Sequence, residues 1–199
     1  NEETALTVPA VWAAVNFLAG TLAALPIHEF EKTRKGTERK GGSPEALLNY
    51  AANDEWDSYA FRKWFWERVL LQGRGLAYIE RDARGNPINL FPMDPKKTKI
   101  VSEGGRVFYD FQGSGKTQRY ESRNVIDVAY AHGSDGLKTY SPVYVCAKAI
   151  ADAIAAQSYS GKAFKSGGLP AFFITGPMAT AGALARAAED LARAAADAY

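Results

Sequence analysis

The run from Pro142 to Ser166 constrains this chain more than any other stretch. Ser141 and Pro142 are of the types favoured at an N-cap and a first helical position. Gly167-Gly168 supplies the glycine that commonly ends a helix. A helix over this range would be about 37 Å long, beyond the usual three or four turns. It is rich in alanine and carries only a thin apolar stripe. Small side chains let helices approach closely, so the run predicts a helix built to stand beside neighbours. Such a helix points to assembly rather than catalysis.

The rest of the composition narrows the classes. The chain has 199 residues, enough for one or two domains with a real core. Its 47% hydrophobic and 23% charged content is ordinary for a globular protein. A formal net charge of +2 is too small to imply nucleic acid or an acidic membrane by itself. Cys146 is the single cysteine, which excludes an intramolecular disulfide framework and a cysteine zinc cluster. No apolar run is long enough to span a bilayer, and no membrane partner is expected. The stretch from Val8 to Leu25 contains Pro9 and Asn16 and lacks a basic leader, so it does not read as a signal peptide. A start at Asn1 and an end inside an apparent helix at Tyr199 read as a piece of a longer protein.

Periodicity divides the chain. Residues 3–25 carry Val8, Val11, Trp12, Val15, Leu18 and Leu22 at helical spacing, closed by Pro26. Ile27–Glu31 alternates like a strand, and Lys32–Gly42 reads as a hairpin turn or loop. A short helix is expected from Ser43 to Ala51, and a second one capped by Asp57 or Ser58 up to Gln72-Gly73. After Gly73 the period changes from helical to two. Strands are expected at Leu76–Arg81, Ile88–Met93, Lys97–Val101, Arg106–Phe111, Thr117–Tyr120 and Val125–Ala129. Residues 1–140 thus read as an α+β domain: N-terminal helices plus an antiparallel, meander-like sheet. The long helix follows, then a strand at Ala171–Thr175, a turn at Gly176-Pro177 and an alanine-rich helix from Thr180.

Catalytic and ligand motifs are thin. Gly113-Ser-Gly-Lys-Thr117 resembles the end of a phosphate-binding loop, but the position of its first glycine is Asp110. Thr117–Tyr120 reads as a strand, whereas phosphate binding needs a helix N-terminus there. A hairpin turn is the better reading, with a P-loop-type nucleotide hydrolase as the alternative. His28 and His132 share no metal-ligand spacing, and Cys146 reads as a small packed hydrophobe. Asp54, Glu55 and Asp57 suit a helix start. No catalytic, cofactor-binding or metal-binding residue is expected. Trp66 and Arg62 fall opposite Phe61 and Phe65, which marks them as an exposed pair for a subunit interface. A generic nucleic-acid-binding α+β module is a further alternative.

On a helical wheel Tyr144, Lys148, Asp152, Tyr159, Lys162 and Ser166 fall near one line. Val143, Cys146, Ile150, Ile154 and Phe164 lie opposite. One reading is an ordinary amphipathic helix with a solvated face. The other is a helix whose polar stripe lines a wet channel, with Lys148 and Lys162 as positive levels about 21 Å apart.

Several passages together resemble the portal, or head–tail connector, proteins of tailed bacteriophages. They are Val8-Pro-Ala-Val-Trp-Ala-Ala-Val through Leu25-Pro26, Leu71-Gln-Gly-Arg-Gly-Leu-Ala-Tyr through Gly85, and Leu90-Phe-Pro-Met-Asp-Pro95. Asp135-Gly136 with Ser141-Pro142, and Phe164-Lys-Ser-Gly-Gly-Leu-Pro170, complete the series. Thr139, Ala52 and Ser166 depart from the family's usual glycine, proline and asparagine, and touch turns and caps only. The resemblance implies that residues 1–140 form most of a wing, 141–166 a first stem helix and 167–199 the start of a clip. It implies a homo-oligomeric ring, a dodecamer, at one capsid vertex, through which double-stranded DNA passes during packaging and ejection. The implied partners are the terminase large subunit, the major capsid protein and a head–tail adaptor. The implied locations are the virion and, during assembly, the host cytoplasm. Lys148, Asp152, Tyr159 and Lys162 would face the channel. Arg62, Trp66, Val143, Ile150, Ile154 and Phe164 would face neighbouring subunits.

Overall fold

The architecture follows from one helix that finds apolar partners on both sides. That helix, α4 (Ser58–Gln72), starts where the Asp57 carboxylate accepts the Ala60 N–H at 2.8 Å, a side-chain N-cap. It ends at Gly73, whose φ of 82° is the left-handed geometry a glycine adopts without strain. A Cβ on Gly73 would also lie 2.7 Å from the Tyr140 carbonyl carbon, so a side chain is excluded twice over. The computed structural model describes residues 1–34, 36–113, 115–165 and 180–197. It divides into two compact units, 1–150 and 151–199.

Three helices precede or flank α4. The N-terminal helix is broken: α1 (Glu2–Leu6) stops at Thr7, and α2 (Pro9–Ala24) restarts with Pro9 in its first turn. One unbroken helix over residues 3–25 is therefore corrected to two, because proline has no N–H to continue the first ladder. α2 packs on α4 through Val15 and Ala19 against Leu70 and Leu71. α3 (Ser43–Asn49) and the loop after it sit over the start of α4, where Ala52 is fully buried. Asn53 ties that loop down: its amide donates to the Leu90 carbonyl at 2.7 Å, and its Oδ1 accepts from the Glu55 and Trp56 N–H groups.

The opposite face of α4 covers a sheet. Phe61, Phe65 and Val69 pack with Ala52, Ala77 and Leu90 into one core cluster. Strand β3 can lie this close because Gly75 has no side chain; a Cβ there would be 2.8 Å from Phe65 and Val69. The strands expected between Gly73 and Ala129 all form, as β3 (Arg74–Arg81), β4 (Pro87–Met93), β5 (Thr98–Glu103), β6 (Arg106–Gln112), β7 (Thr117–Glu121) and β8 (Val125–Ala129). Here β1 (Phe30–Thr33) and β2 (Gly36–Arg39) are an earlier hairpin: the strand expected at Ile27–Glu31 begins only at Phe30, and it pairs within the stretch expected to be a hairpin turn or loop. All pairings are antiparallel, but the sheet is not one meander. β5-β6-β7 is a meander of three, whereas β8 returns to the far side of β3 to give β4-β3-β8. Alternating side chains explain the division. Leu76, Met93, Tyr109 and Val125 meet as a separate buried cluster between the two sheets, which one flat sheet could not bury.

A polar chain runs through that second cluster. The Tyr109 hydroxyl donates to Asp127 Oδ2 at 2.7 Å, and Asp127 Oδ1 lies 3.1 Å from Arg74 Nε. Burial first, and then the Asp127 carboxylate, raise the Tyr109 phenol well above the ordinary tyrosine range. After a two-stranded pair, β9 (Ala131–His132) with β10 (Thr139–Tyr140), Ser141 caps α5 (Pro142–Val145) by accepting the Tyr144 N–H at 3.0 Å. The long helix is interrupted at Cys146, with φ −90° and ψ 13°, and continues as α6 (Ala147–Lys165). α7 (Ala181–Asp197) is the last described element. The expected residues Ser166 to Gly168, the strand at Ala171–Thr175 and the turn at Gly176-Pro177 lie outside the described residues.

Candidate functional site

Two surfaces carry the residues singled out from the sequence. The first is α6. Its 19 residues span about 28 Å, and none of them is buried. Lys148, Asp152, Tyr159 and Lys162 are all exposed, at spacings that keep them near one line of the helix. Tyr159 is 76% exposed, and Tyr144, just before the helix, is 68% exposed. On the other side Ile150 and Ile154 are half-buried, while Phe164 is 79% exposed. A phenyl ring so exposed forgoes roughly 2 kcal/mol of burial in this chain alone. Chemically the polar face offers two ammonium groups, a carboxylate and phenols. It can meet a polyanion at separated points without holding it at any one of them.

The second surface is an apolar groove of about 360 Å³ in the first unit, lined by Val11, Ala14 and Leu18 of α2, Leu70 of α4, Val143 and Ile150. Val143 also packs against the α2–α4 core, so part of the stripe expected to face other subunits is used inside the chain. Cys146 lies at the edge of this groove and is exposed. Its expected packing is corrected: it shares the groove with Val143 and Ile150 but is not buried there. The α2 side of the groove went unnoticed in the sequence. The signal was present, since small and apolar residues cover two adjacent faces between Val8 and Leu18, wider than one core contact needs.

Arg62 and Trp66 do not form an exposed pair. Arg62 is 6% exposed, and its guanidinium donates to the carbonyls of Leu48 and Leu22, each at 2.9 Å, and of Leu25. It thereby satisfies carbonyls left open at the ends of α2 and α3. Burial pulls its pKa below the ordinary arginine value. Trp66 is half-buried, touching both α4 clusters and meeting Phe65 edge-on with centroids 5.9 Å apart. At 100° per residue Arg62 is only about 60° from Phe65, so the two residues lie beside the Phe61–Phe65 face, and neighbouring elements cover them as well.

Gly113 to Thr117 joins β6 to β7. The Gly115 N–H donates to the Gly113 carbonyl at 2.8 Å, and Thr117 opens a strand, not a helix. The helix terminus that a phosphate loop requires is therefore not formed among the described residues there. Asp110 is instead bound by Arg119 at 2.7 Å, in a pair that holds the carboxyl below its usual range. Among the described residues no cluster of histidine, cysteine, aspartate or glutamate is placed to hold a metal ion. Among them, too, no helix is long and apolar enough to cross a membrane.

Comparison with known proteins bears on the fold and the family. The pattern of the family described as phage portal protein matches residues 9–198. The portal protein of Enterobacteria phage HK97 is 24% identical over 170 residues, covering 84% of this chain and 40% of that protein. A chain in the neck of a native gene transfer agent particle, computed with C12 symmetry, shares the fold at a TM-score of 0.64 and 18% identity. The likeness covers 92% of this chain and 50% of that one. An HK97-family phage portal protein from Corynebacterium diphtheriae gives a TM-score of 0.57 at 17% identity, covering 95% of this chain and 59% of the other. This chain thus spans about half the length of the relatives it matches. A family pattern matched from the second helix through the last described one makes this chain a member of the phage portal protein family.

Proposed function

We propose that the chain is a subunit of a homo-oligomeric ring, a dodecamer, that forms a channel for double-stranded DNA at the capsid vertex. The observation that carries this reading is the family match over residues 9–198. The C12 symmetry of a neck that shares the fold supports the ring size. In this reading residues 1–140 are most of the wing, 141–166 the first stem helix and 167–199 the start of the clip. Lys148, Asp152, Tyr159 and Lys162 face the channel. Ile150, Ile154 and Phe164 face neighbouring helices, with Val143 contributing at the edge of its own core. The terminase large subunit would dock at the clip end, and the major capsid protein and a head–tail adaptor would bind the ring from outside. The assembled protein would sit in the virion, after assembly in the host cytoplasm.

The mechanism is electrostatic and passive. A channel wall must neutralise phosphate enough to admit DNA, yet release it at every step. Phosphate contacts position a duplex without reading its sequence. Two lysine levels about 21 Å apart, interrupted by Asp152, would meet the backbone at intervals, so no register of the DNA is strongly preferred. In the intact protein, Lys148→Glu with Lys162→Glu should leave rings intact by negative-stain electron microscopy. DNA packaged per particle should fall several-fold. Normal packaging by such rings would refute the channel-facing assignment.

A further inference from the structure

Helix α2 carries no charge on any face. From Thr4 to His28 the sequence holds no Asp, Glu, Lys or Arg, whereas a helix with one solvated face normally carries charge there. Only Val15, Ala19 and Ala23 of α2 are buried. Ala14 and Leu18 line the apolar groove of about 360 Å³. Phe17, 73% exposed, lies about 60° round the helix from Ala14. A charge-free groove with an exposed phenyl ring beside it marks a surface that something apolar covers.

The same chain carries a projection of matching chemistry. Val143 of α5 lines the groove, while Val145 is 70% exposed. At 100° per residue the two valines leave the helix about 160° apart, on opposite flanks. Tyr144, next to Val145, stacks on Tyr140 with ring centroids 5.7 Å apart, so the projection is apolar and aromatic without a charged group.

This arrangement favours a second copy as the occupant. In a cyclic assembly each copy offers two different surfaces, one to each neighbour. The groove and Val145 lie on opposite flanks of α5, and Tyr144 heads the polar line assigned to the channel. A copy set head to tail thus keeps its channel face in front, with one neighbour on each side. Neither surface has a charge to desolvate on closing. The groove is also continuous with Ile150, which the ring reading places against a neighbouring helix.

We propose that Val145 of one copy, flanked by Tyr144, seats in the α2–α5 groove of the next copy, head to tail around the ring. This contact rests on the ring reading and gives it two named surfaces.

The test is cross-linking in the intact protein, with Cys146→Ser as the background. Ala14→Cys and Val145→Cys, both at exposed positions, are made singly and together, and the assembled protein is treated with a short bismaleimide. The double variant should give a ladder of dimer, trimer and higher species on a denaturing gel, because each copy then carries both halves of a head-to-tail contact. Each single variant should give at least tenfold less linked product. Rings seen by negative-stain electron microscopy without a ladder would overturn the inference and leave the ring reading standing. The groove would then be covered by another segment of the same polypeptide or by a different partner. Dimers from Val145→Cys alone would overturn it too, since they mark a two-fold contact. A parent protein that forms no rings would remove the ring reading and the inference with it.

Discussion

α4 and α6 are helices of similar length, 15 and 19 residues, with opposite relations to their own chain. α4 buries Phe61, Arg62, Phe65, Val69, Leu70 and Leu71, and is covered by α2 on one side and β3 on the other. α6 buries nothing, though it carries Ile150, Ile154 and Phe164. Both have apolar residues at helical spacing; among the described residues only the first buries any of them fully. The difference shows that apolar spacing marks a face that wants a partner, and does not say whether the partner belongs to the same chain.

The comparison breaks most readily at α4. Phe61→Ala, at a position 2% exposed, should destabilise the chain by about 3–5 kcal/mol through lost burial and a residual cavity. Urea unfolding would measure this, and a cost below about 1 kcal/mol would mean that the cluster around α4 is not the main core. Arg62→Ala should come next, at about 2–3 kcal/mol, since it leaves the carbonyls of Leu22, Leu25 and Leu48 without their donor. Arg62→Lys should recover only part of the loss, because one ammonium cannot match the spread of the guanidinium. Equal stability of the alanine and parent chains would restore the exposed reading of Arg62. The smallest effect belongs to α6. Ile154→Ala with Phe164→Ala should shift the stability of this chain by no more than about 0.5 kcal/mol. A much larger loss would show that a single chain covers these side chains after all.

Much of the region spanning residues 1–140 was legible, and its errors have physical causes. Strand spacing from Arg74 to Ala129 could be read because alternation, Gly-bearing turns and β-branched residues are all local signals. The pairing of β8 with β3 could not, because which strand returns to which depends on burying Leu76, Met93, Tyr109 and Val125 together. The break at Thr7 was written in Pro9 and missed because the apolar spacing runs straight through it. Cys146 was misplaced for another reason: it lies on the apolar line with Val143 and Ile150, but the groove they line is open and leaves it exposed. Arg62 and Trp66 illustrate a further limit. A wheel orders residues around one helix, but it does not show that a helix sandwiched between layers is covered on its flanks as well. The Arg74–Asp127–Tyr109 chain had no sequence signal, since its members lie on three strands.

What the sequence determined alone is most of the local elements and the family, through caps such as Asp57 and Ser141, through glycines such as Gly73, and through a series of short passages in order. These depend on neighbours a few residues apart. The tertiary structure decided which faces were consumed: that Arg62 closes the ends of two helices, that Gly75 lets β3 slide under Phe65, and that Phe164 stays exposed among the described residues. Those outcomes depend on contacts between residues far apart in sequence, where burying one surface determines which others remain to be covered.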